Sequence, residues 1–396
     1  VPEQHIHEAS EVIPDVEVVT IDDADLLGSI GRFAGRGFDV TNEIPIRLAL
    51  YRVGDAYETR HVLAVVVHHI AADGASMAPL ARDVMIAYSA RIADTAPAWQ
   101  PLAVQYADYT LWQRSLLGRE DDHESLAGRQ LHYWQTSLRG VPDLLPLPTD
   151  RQRPTTQDFS GARVKFEMNA DLHRRLVEFT RTRSATMFML VHSAFAATLA
   201  RLSGTDDIAI TTPVAGRGEA ALDDLIGMFV NTLVLRTVVD GAESFESLLA
   251  RVVDADLEAF DNTDIPFERV VEVVNPPRST SYAPLSQVAL SFQNNTKARL
   301  ELPDLTVEGF DFDVPVAKQD LQLLLSENFD EAGEPAGIEG ALDYATALFD
   351  PSTVQSFADR FVRILSTVVL DPTSPVGDVD VLGADELPVL APARGE

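Results

Sequence analysis

The seven residues His68-His69-Ile70-Ala71-Ala72-Asp73-Gly74 concentrate the chemistry of this chain. An imidazole titrates near neutrality, so a histidine here can accept or position a proton on an attacking amine or hydroxyl. Adjacent side chains on a strand point to opposite faces. One histidine is therefore expected to face a cleft and the other to pack inward and orient the loop. By residue type alone, Asp73 is a metal ligand, an orienter of a histidine, or a carboxylate that locks the loop through an arginine. The spacing argues against a metal site: adjacent histidines diverge, no His-Glu-x-x-His pattern exists, and there is no cysteine. The competing reading is that both histidines are satisfied structural residues at a strand end, because short motifs recur by chance.

Other candidates carry less. His192 lies in an apolar helical stretch and reads as a core histidine; His5 and His7 read as solvated. His61, His123, His132 and His173 stand alone amid polar residues. The pairs Asp206/Asp207 and Asp223/Asp224 read as turn or helix-start acids. No Gly-x-Ser-x-Gly, P-loop or Gly-x-Gly-x-x-Gly pattern is present, so hydrolase, NTPase and dinucleotide readings lack their usual signals.

The elements that must position the loop follow from periodicity. Val62 to Val67 is a continuous apolar run and predicts a strand buried on both faces. Gly74 then supplies a turn, Ser76 a helix N-cap, and Met77, Leu80, Val84 and Tyr88 one helical face. A helix is expected from Ser125 to Leu138. It is followed by an extended, proline-rich stretch at 142–156 that predicts a domain boundary. Beyond it the pattern predicts helices near 171–181, 185–202, 244–260 and 352–369, with strands at 164–168, DIAITTP, 287–293, 321–327 and 338–344.

With 396 residues, two to three compact units are expected. Acids outnumber bases 61 to 31, for a net charge of −30, which repels phosphate backbones and argues against nucleic acid as a partner. No apolar run is long enough to span a bilayer, so no membrane association is expected. The opening VPEQHIHEAS lacks the basic head and apolar stretch of a secretory signal, which gives a cytoplasmic expectation.

An ordered series of segments now extends the histidine motif. VVHHIAADGAS at 66–76, YADYTLW at 106–112, TTPVAGR at 211–217, IGMFVNTLVLR at 226–236, NTDIPFERVVE at 262–272 and NPPRSTSYAPLSQVALSFQN at 275–294 resemble, in order and spacing, the motifs of the condensation domains of nonribosomal peptide synthetases. The family's early Ser-x-Ala-Gln and Arg-His-Glu…Leu-Arg-Thr segments have no counterpart. The resemblance therefore implies a first lobe lacking its opening strand and helix. Smaller departures are Ala75, where a bulkier residue is common, and Gln152, where proline is usual.

The resemblance implies an α/β fold with mixed sheets: two chloramphenicol acetyltransferase-like lobes in a V-shaped pseudo-dimer. The N-terminal lobe would be 1–145 and the C-terminal lobe 146–396. It implies amide-bond formation between a donor acyl or peptidyl thioester and the amine of an acceptor aminoacyl thioester. Both substrates would ride on the phosphopantetheine arms of donor and acceptor peptidyl carrier proteins, beside an adenylation domain, with no cofactor or metal bound directly. His69 is carried over as the functional histidine, with His68 and Gly74 beside it. Asp73 is carried over as a structural acid held by an arginine of the other lobe, Arg217 rather than Arg278. Asn231, Ser291 and Gln293 are carried over as tunnel-lining residues. Alternatives are an epimerization domain, a stand-alone acyltransferase with the same histidine motif, and a non-catalytic recruiting domain. Cyclization domains carry aspartate where His68 and His69 stand.

Overall fold

The computed structural model describes residues 3–8, 10–54, 60–293, 302, 305–309, 316–383 and 386. Contacts divide the chain into two compact units. The first comprises Val1–Leu111 together with Arg217–Phe229 and Lys297–Val314; the second comprises Trp112–Gly216, Val230–Thr296 and Pro315–Glu396.

In the first unit, strands β1 (Val16–Ile21), β2 (Ile46–Val53) and β3 (Arg60–Val67) form a sheet in that order, β1 parallel to β2 and β3 antiparallel. Helix α1 (Asp23–Gly35) follows β1, and α2 (Met77–Ile92) follows β3. Alternation builds the core: Val19, Ile21, Ala49, Tyr51, Val53, Val62 and Ala64 share one face of the sheet and pack on Leu26 and Ile30 of α1. The opposite face is also apolar, with Val16 beside Leu48 and Leu48 beside Val65, yet Val16, Val18, Leu63 and Val65 are exposed. The expectation of a strand buried on both faces is thus corrected, because no second layer covers this face among the described residues. The same holds for α2: Pro79 and Ala81 are its buried residues, while Met77, Val84 and Tyr88 are exposed.

In the second unit a six-stranded mixed sheet runs β4 (Gly161–Met168), β9 (Pro335–Ala345), β8 (Leu321–Phe329), β7 (Val288–Phe292), β5 (Asp207–Val214) and β6 (Asn231–Val238). Helices α3 (Tyr106–Leu117), which begins in the first unit, α4 (Leu126–Ser137), α5 (Ala170–Thr182), α6 (Met187–Ser203), α7 (Phe245–Phe260), α8 (Phe267–Val274) and α9 (Pro351–Val368) complete the helical set. Every residue of α6 from Met189 to Leu199 is buried. A helix apolar all round is a core helix, and α6 packs in the main core with β5 and β8 residues and the buried faces of α7 and α9. Ser125, Asn169, Thr186 and Ser244 cap their helices by accepting a backbone N–H three residues on. The expected α/β class with mixed sheets is what is found. The first unit runs β1, α1 and the antiparallel pair β2–β3, and the second has a similar run, β4, α5, α6 and the antiparallel pair β5–β6, but the sheets have three and six strands.

The units do not part at 145/146, where a boundary was expected. Leu145 and Leu147 belong to the second unit's core. The side chain of Gln287 accepts the Leu145 N–H at 2.9 Å and donates to the carbonyls of Asp143 and Ala283 at 3.0 and 2.9 Å. Arg153 forks onto the buried Asp320. Proline removes donors from this strap, Gln287 accepts the Leu145 N–H, and the Leu348 carbonyl accepts those of Asp150 and Arg151, so an extended segment is packed rather than left as a linker.

Two buried histidines belong to this frame. His192 contacts both oxygens of Asp256 at 3.0 and 3.1 Å, each side chain 1% exposed, as befits a core histidine. His173 does not stand alone: its Nδ1 accepts the Gly337 N–H, and its Nε2 lies 2.9 Å from Glu327. It falls on the buried stripe of α5 with Leu176, Phe179 and Thr180.

Replacing Gln287 with Ala strands the Leu145 N–H and two carbonyls. Each buried polar group left unpaired costs about 1–3 kcal/mol. A loss of at least about 2 kcal/mol is expected in urea unfolding of Gln287→Ala; unchanged stability sinks the strap argument.

Candidate active site

Strand β3 stops at Val67, and the last ladder bond is made by the His68 N–H to the Pro45 carbonyl at 2.9 Å. The Ala71 N–H then bonds the His68 carbonyl at 2.9 Å, so the two histidines sit in a turn rather than on the strand. Turn geometry, not strand alternation, separates their roles. His68 is half-buried; its Nδ1 accepts the Ile70 N–H at 3.0 Å, which places the proton of the neutral ring on Nε2. Its ring meets Phe38 edge-on at 5.9 Å, and the Arg47 guanidinium lies 3.8 Å over that same phenylalanine. His69 is exposed and has no hydrogen-bond partner among the described residues. Gly74 is exposed too; its carbonyl accepts the Met77 N–H, and its own N–H has no acceptor among the described residues.

Asp73 faces the other way, with its side chain 1% exposed. Its Oδ1 accepts the Ser76 N–H at 2.9 Å, the Ser76 hydroxyl at 2.7 Å and Arg217 Nη2 at 3.0 Å. Its Oδ2 accepts the Phe229 N–H at 3.1 Å. Burial alone pushes this carboxyl up, but the hydrogen bonds from the Ser76 hydroxyl, Arg217, and the Phe229 and Ser76 backbone outweigh it and hold it below 3.8. A carboxylate this buried, with three donors on Oδ1 and one on Oδ2, holds the loop together rather than facing a substrate.

Arg217 is held just as firmly. Nη1 donates to the Leu222 and Leu225 carbonyls, Nη2 reaches both Asp73 and Ser76, and the guanidinium stacks 4.1 Å over the Phe229 ring. Arg217 enters the first unit with its own segment, Arg217–Phe229, so within that unit the pair is local. Arg278 is exposed and takes no part.

The segment is buttressed by the start of α3, a role the motif YADYTLW did not reveal. The Tyr106 hydroxyl donates to the Met228 carbonyl at 2.6 Å, and Tyr106 and Tyr109 pack on Phe229 at 5.2 and 4.7 Å. Gly227 is obligatory: a Cβ there would meet the Tyr106 ring at 2.4 Å. Arg82 of α2 adds an ion pair to Asp224. Sequence reasoning missed Tyr106, Gly227 and Phe229 as site residues; a glycine two residues before an aromatic in IGMF was the available signal.

The residues expected to line a tunnel differ in kind. Asn231 is a structural clamp: its Nδ2 donates to the Thr263 and Ile265 carbonyls at 2.7 and 2.6 Å, and its Oδ1 accepts the N–H groups of Thr232 and Phe267. With Gln130 and Trp134 of α4 it fixes the NTDIPF loop. That leaves its amide no capacity to bind a ligand. Ser291 is half-buried on β7, and Gln293 is exposed just beyond it. Among the described residues no three His, Asp or Glu side chains converge as metal ligands do. A cavity of about 470 Å³ in the second unit, walled by α4, β6 and α7, includes Tyr133, Thr237 and Asp256 and none of the residues above. There burial and the Glu258 and Asp256 carboxylates push the Tyr133 phenol up to about 12.

Comparison with known proteins bears on this geometry. Residues 1–390 match the family model described as the condensation domain. CymA of Salinispora arenicola, a probable nonribosomal peptide synthetase, is 46% identical over 386 residues, covering 98% of this chain and 5% of that protein. The dimodular nonribosomal peptide synthase of Bacillus subtilis is 44% identical over 383 residues, 97% of this chain and 16% of that protein. Among solved structures, the X-domain in complex with OxyB from teicoplanin biosynthesis superposes with a TM-score of 0.88 at 36% identity. The match covers 96% of this chain and 82% of that one. The chain thus spans only a small part of the synthetases it matches.

The geometry around Asp73 makes two measurable claims. Asp73→Ala and Arg217→Ala are each expected to lose about 3–5 kcal/mol, because each leaves its partner buried and unpaired. The double variant should lose about 1–3 kcal/mol less than the sum. Strict additivity in chemical unfolding contradicts the pairing. The pH dependence carries a definite sign. A carboxyl whose folded pKa lies below its unfolded value, about 3.9, stabilises the fold above that value. That contribution is lost as pH falls through the folded value. The stability gap between the native chain and Asp73→Asn should therefore narrow below about pH 4.

Proposed function

The chain belongs to the condensation-domain family, and from that premise we propose that it forms an amide bond between two carrier-bound substrates in nonribosomal peptide synthesis. The donor is an acyl or peptidyl thioester, the acceptor an aminoacyl thioester. The acceptor amine attacks the donor carbonyl; the C–N bond forms, the C–S bond breaks, and the amine proton ends on the departing thiol. A thioester is already activated, so holding two tethered reactants together can supply up to about 7–11 kcal/mol of the barrier.

The observation that carries this reading is the division of labour in the turn. His69 and the Gly74 N–H are exposed and unengaged among the described residues, while Asp73 beside them is fully engaged. In this reading His69 accepts or positions the amine proton, and the Gly74 N–H donates to the oxyanion of the tetrahedral intermediate. His68, with Nδ1 bonded to the Ile70 N–H, sets the turn. The donor and acceptor carrier proteins are the partners, each bringing its phosphopantetheine arm, with an adenylation domain adjacent and the cytoplasm as the compartment.

A second reading has one specific observation behind it: the likeness to an X-domain solved with OxyB. On that reading the chain binds a protein partner and makes no bond. Retention of His69 favours catalysis. One assay separates the two. With carrier-bound substrates, and the chain in the protein that carries it, His69→Ala should cut turnover by about 10²–10⁴-fold without changing the melting temperature. His68→Ala should act mainly through stability. Turnover by His69→Ala equal to that of the native chain removes the catalytic assignment, and absence of turnover in the native chain supports recruitment.

A further inference from the structure

We infer that Ser76 is a positioning residue of this site: its hydroxyl fastens the His69–Gly74 turn to the Arg217–Phe229 segment and thereby sets the pose of His69. The inference rests on the proposed condensation activity and assigns it a residue beyond the histidine motif.

Ser76 was expected to cap α2, and it does not. It has helical dihedrals, and its side chain makes no capping bond to its own helix. Asp73 does that work by accepting the Ser76 N–H, while the Asp73 N–H points back at the Ser76 hydroxyl at 3.3 Å. This is the reciprocal geometry of a capping box. The hydroxyl is thereby released for a different task. It is fully buried and, besides the Asp73 N–H, stands among four groups from two stretches of chain, its own turn and the Arg217–Phe229 segment. It donates to Asp73 Oδ1 at 2.7 Å, lies 3.0 Å from the Gly227 carbonyl, and accepts Arg217 Nη2 at 2.9 Å and the Gly227 N–H at 3.2 Å. Its one proton is directed to the carboxylate, the shorter and charge-assisted contact.

Of these groups, Asp73 and Arg217 keep each other if the hydroxyl is removed, since their direct bond remains. What is lost is the tie between the turn and Gly227. The turn is then held to the segment at fewer points, and its exposed side chains gain freedom. Misplacement by about 1 Å can cost about 10²-fold in rate.

A merely structural serine and a positioning serine give different kinetics. In the protein that carries this chain, Ser76→Ala is expected to lower kcat roughly ten- to a hundredfold, with KM for each carrier-bound substrate within about twofold. Ser76→Thr, which keeps the hydroxyl, should recover most of the loss. The pH–stability profile of Ser76→Ala should fall off at higher pH than that of the native chain, because Asp73 loses a donor and is protonated more readily. The charged or titratable groups facing Asp73 are Arg217 and the Tyr106 phenol; both remain in the variant, and Arg217 Nη2 loses only its bond to Ser76.

Native kcat and pH profile in Ser76→Ala overturn the inference, as does a loss confined to KM. If circular dichroism shows Ser76→Ala unfolded, Ser76→Cys, which keeps the packing and weakens the bonds, is read against the same outcomes. His69→Ala is the control. If it turns over normally, the parent reading fails; if it is inactive while Ser76→Ala behaves as native, only the role of Ser76 fails.

Discussion

A carboxylate taken out of water must be met by hydrogen bonds and a counter-charge, and Asp73 obliges much of the first unit to meet it. An uncompensated buried charge costs several kcal/mol, a large share of what a domain has in total. The chain answers with Ser76 from the next turn, Arg217 from far along the sequence and the backbone of Phe229. Those groups need support of their own. Tyr106 and Tyr109 fill the space behind Phe229, and Gly227 lets the Tyr106 ring approach. Three segments far apart in sequence, 73–76, 106–109 and 217–229, thus converge on one buried charge.

The clasp faces inward and leaves the outward side of the turn to chemistry. A loop whose main chain is fixed from behind can present an imidazole and a backbone N–H without using either to hold itself together. The same logic recurs in the second unit, where Asn231, Gln130 and Trp134 bond the carbonyls of Asn262, Thr263 and Ile265 and the N–H groups of Asp264, Ile265 and Phe267. Motif residues in this chain divide into those that hold loops and those that loops hold out.

What the sequence made legible follows from range. Helices α4, α5, α6, α7 and α9 were located to within a few residues because their stripes and caps are local signals, with Ser125 and Ser244 marking starts as expected, while α3 and the short α8 were missed. The first sixty residues gave no elements, since β1 is short, α1 carries Gly28, and the sheet pairing is non-local. Both-face burial was inferred for β3 from its apolar run, yet composition cannot say whether a second layer is there to cover it. The boundary near 145 was read from prolines, while the side chain that packs that stretch, Gln287, lies 142 residues away. His173 was hidden by polar neighbours, although Leu176 and Phe179 at helical spacing placed it on the buried stripe. Resemblance pointed to Asp73 and His69; it could not say that Asn231 is a clamp or that Ser76 leaves the capping of α2 to Asp73.

The separation of Asp73 from Arg217 by 144 residues sets an order of events at the ribosome. Synthesis proceeds from the N-terminus at about 5–20 residues per second, so the carboxylate emerges on the order of ten seconds before its cation. During that interval β3 and α2 can form, but the turn between them has no reason to bury an acid that nothing yet neutralises. Its native shape waits for a segment strung between β5 and β6, two strands of the other unit. The histidine turn, encoded early, is therefore among the last parts of its own unit to become native. A nascent chain halted before Arg217 would carry the histidine pair without the clasp that shapes it.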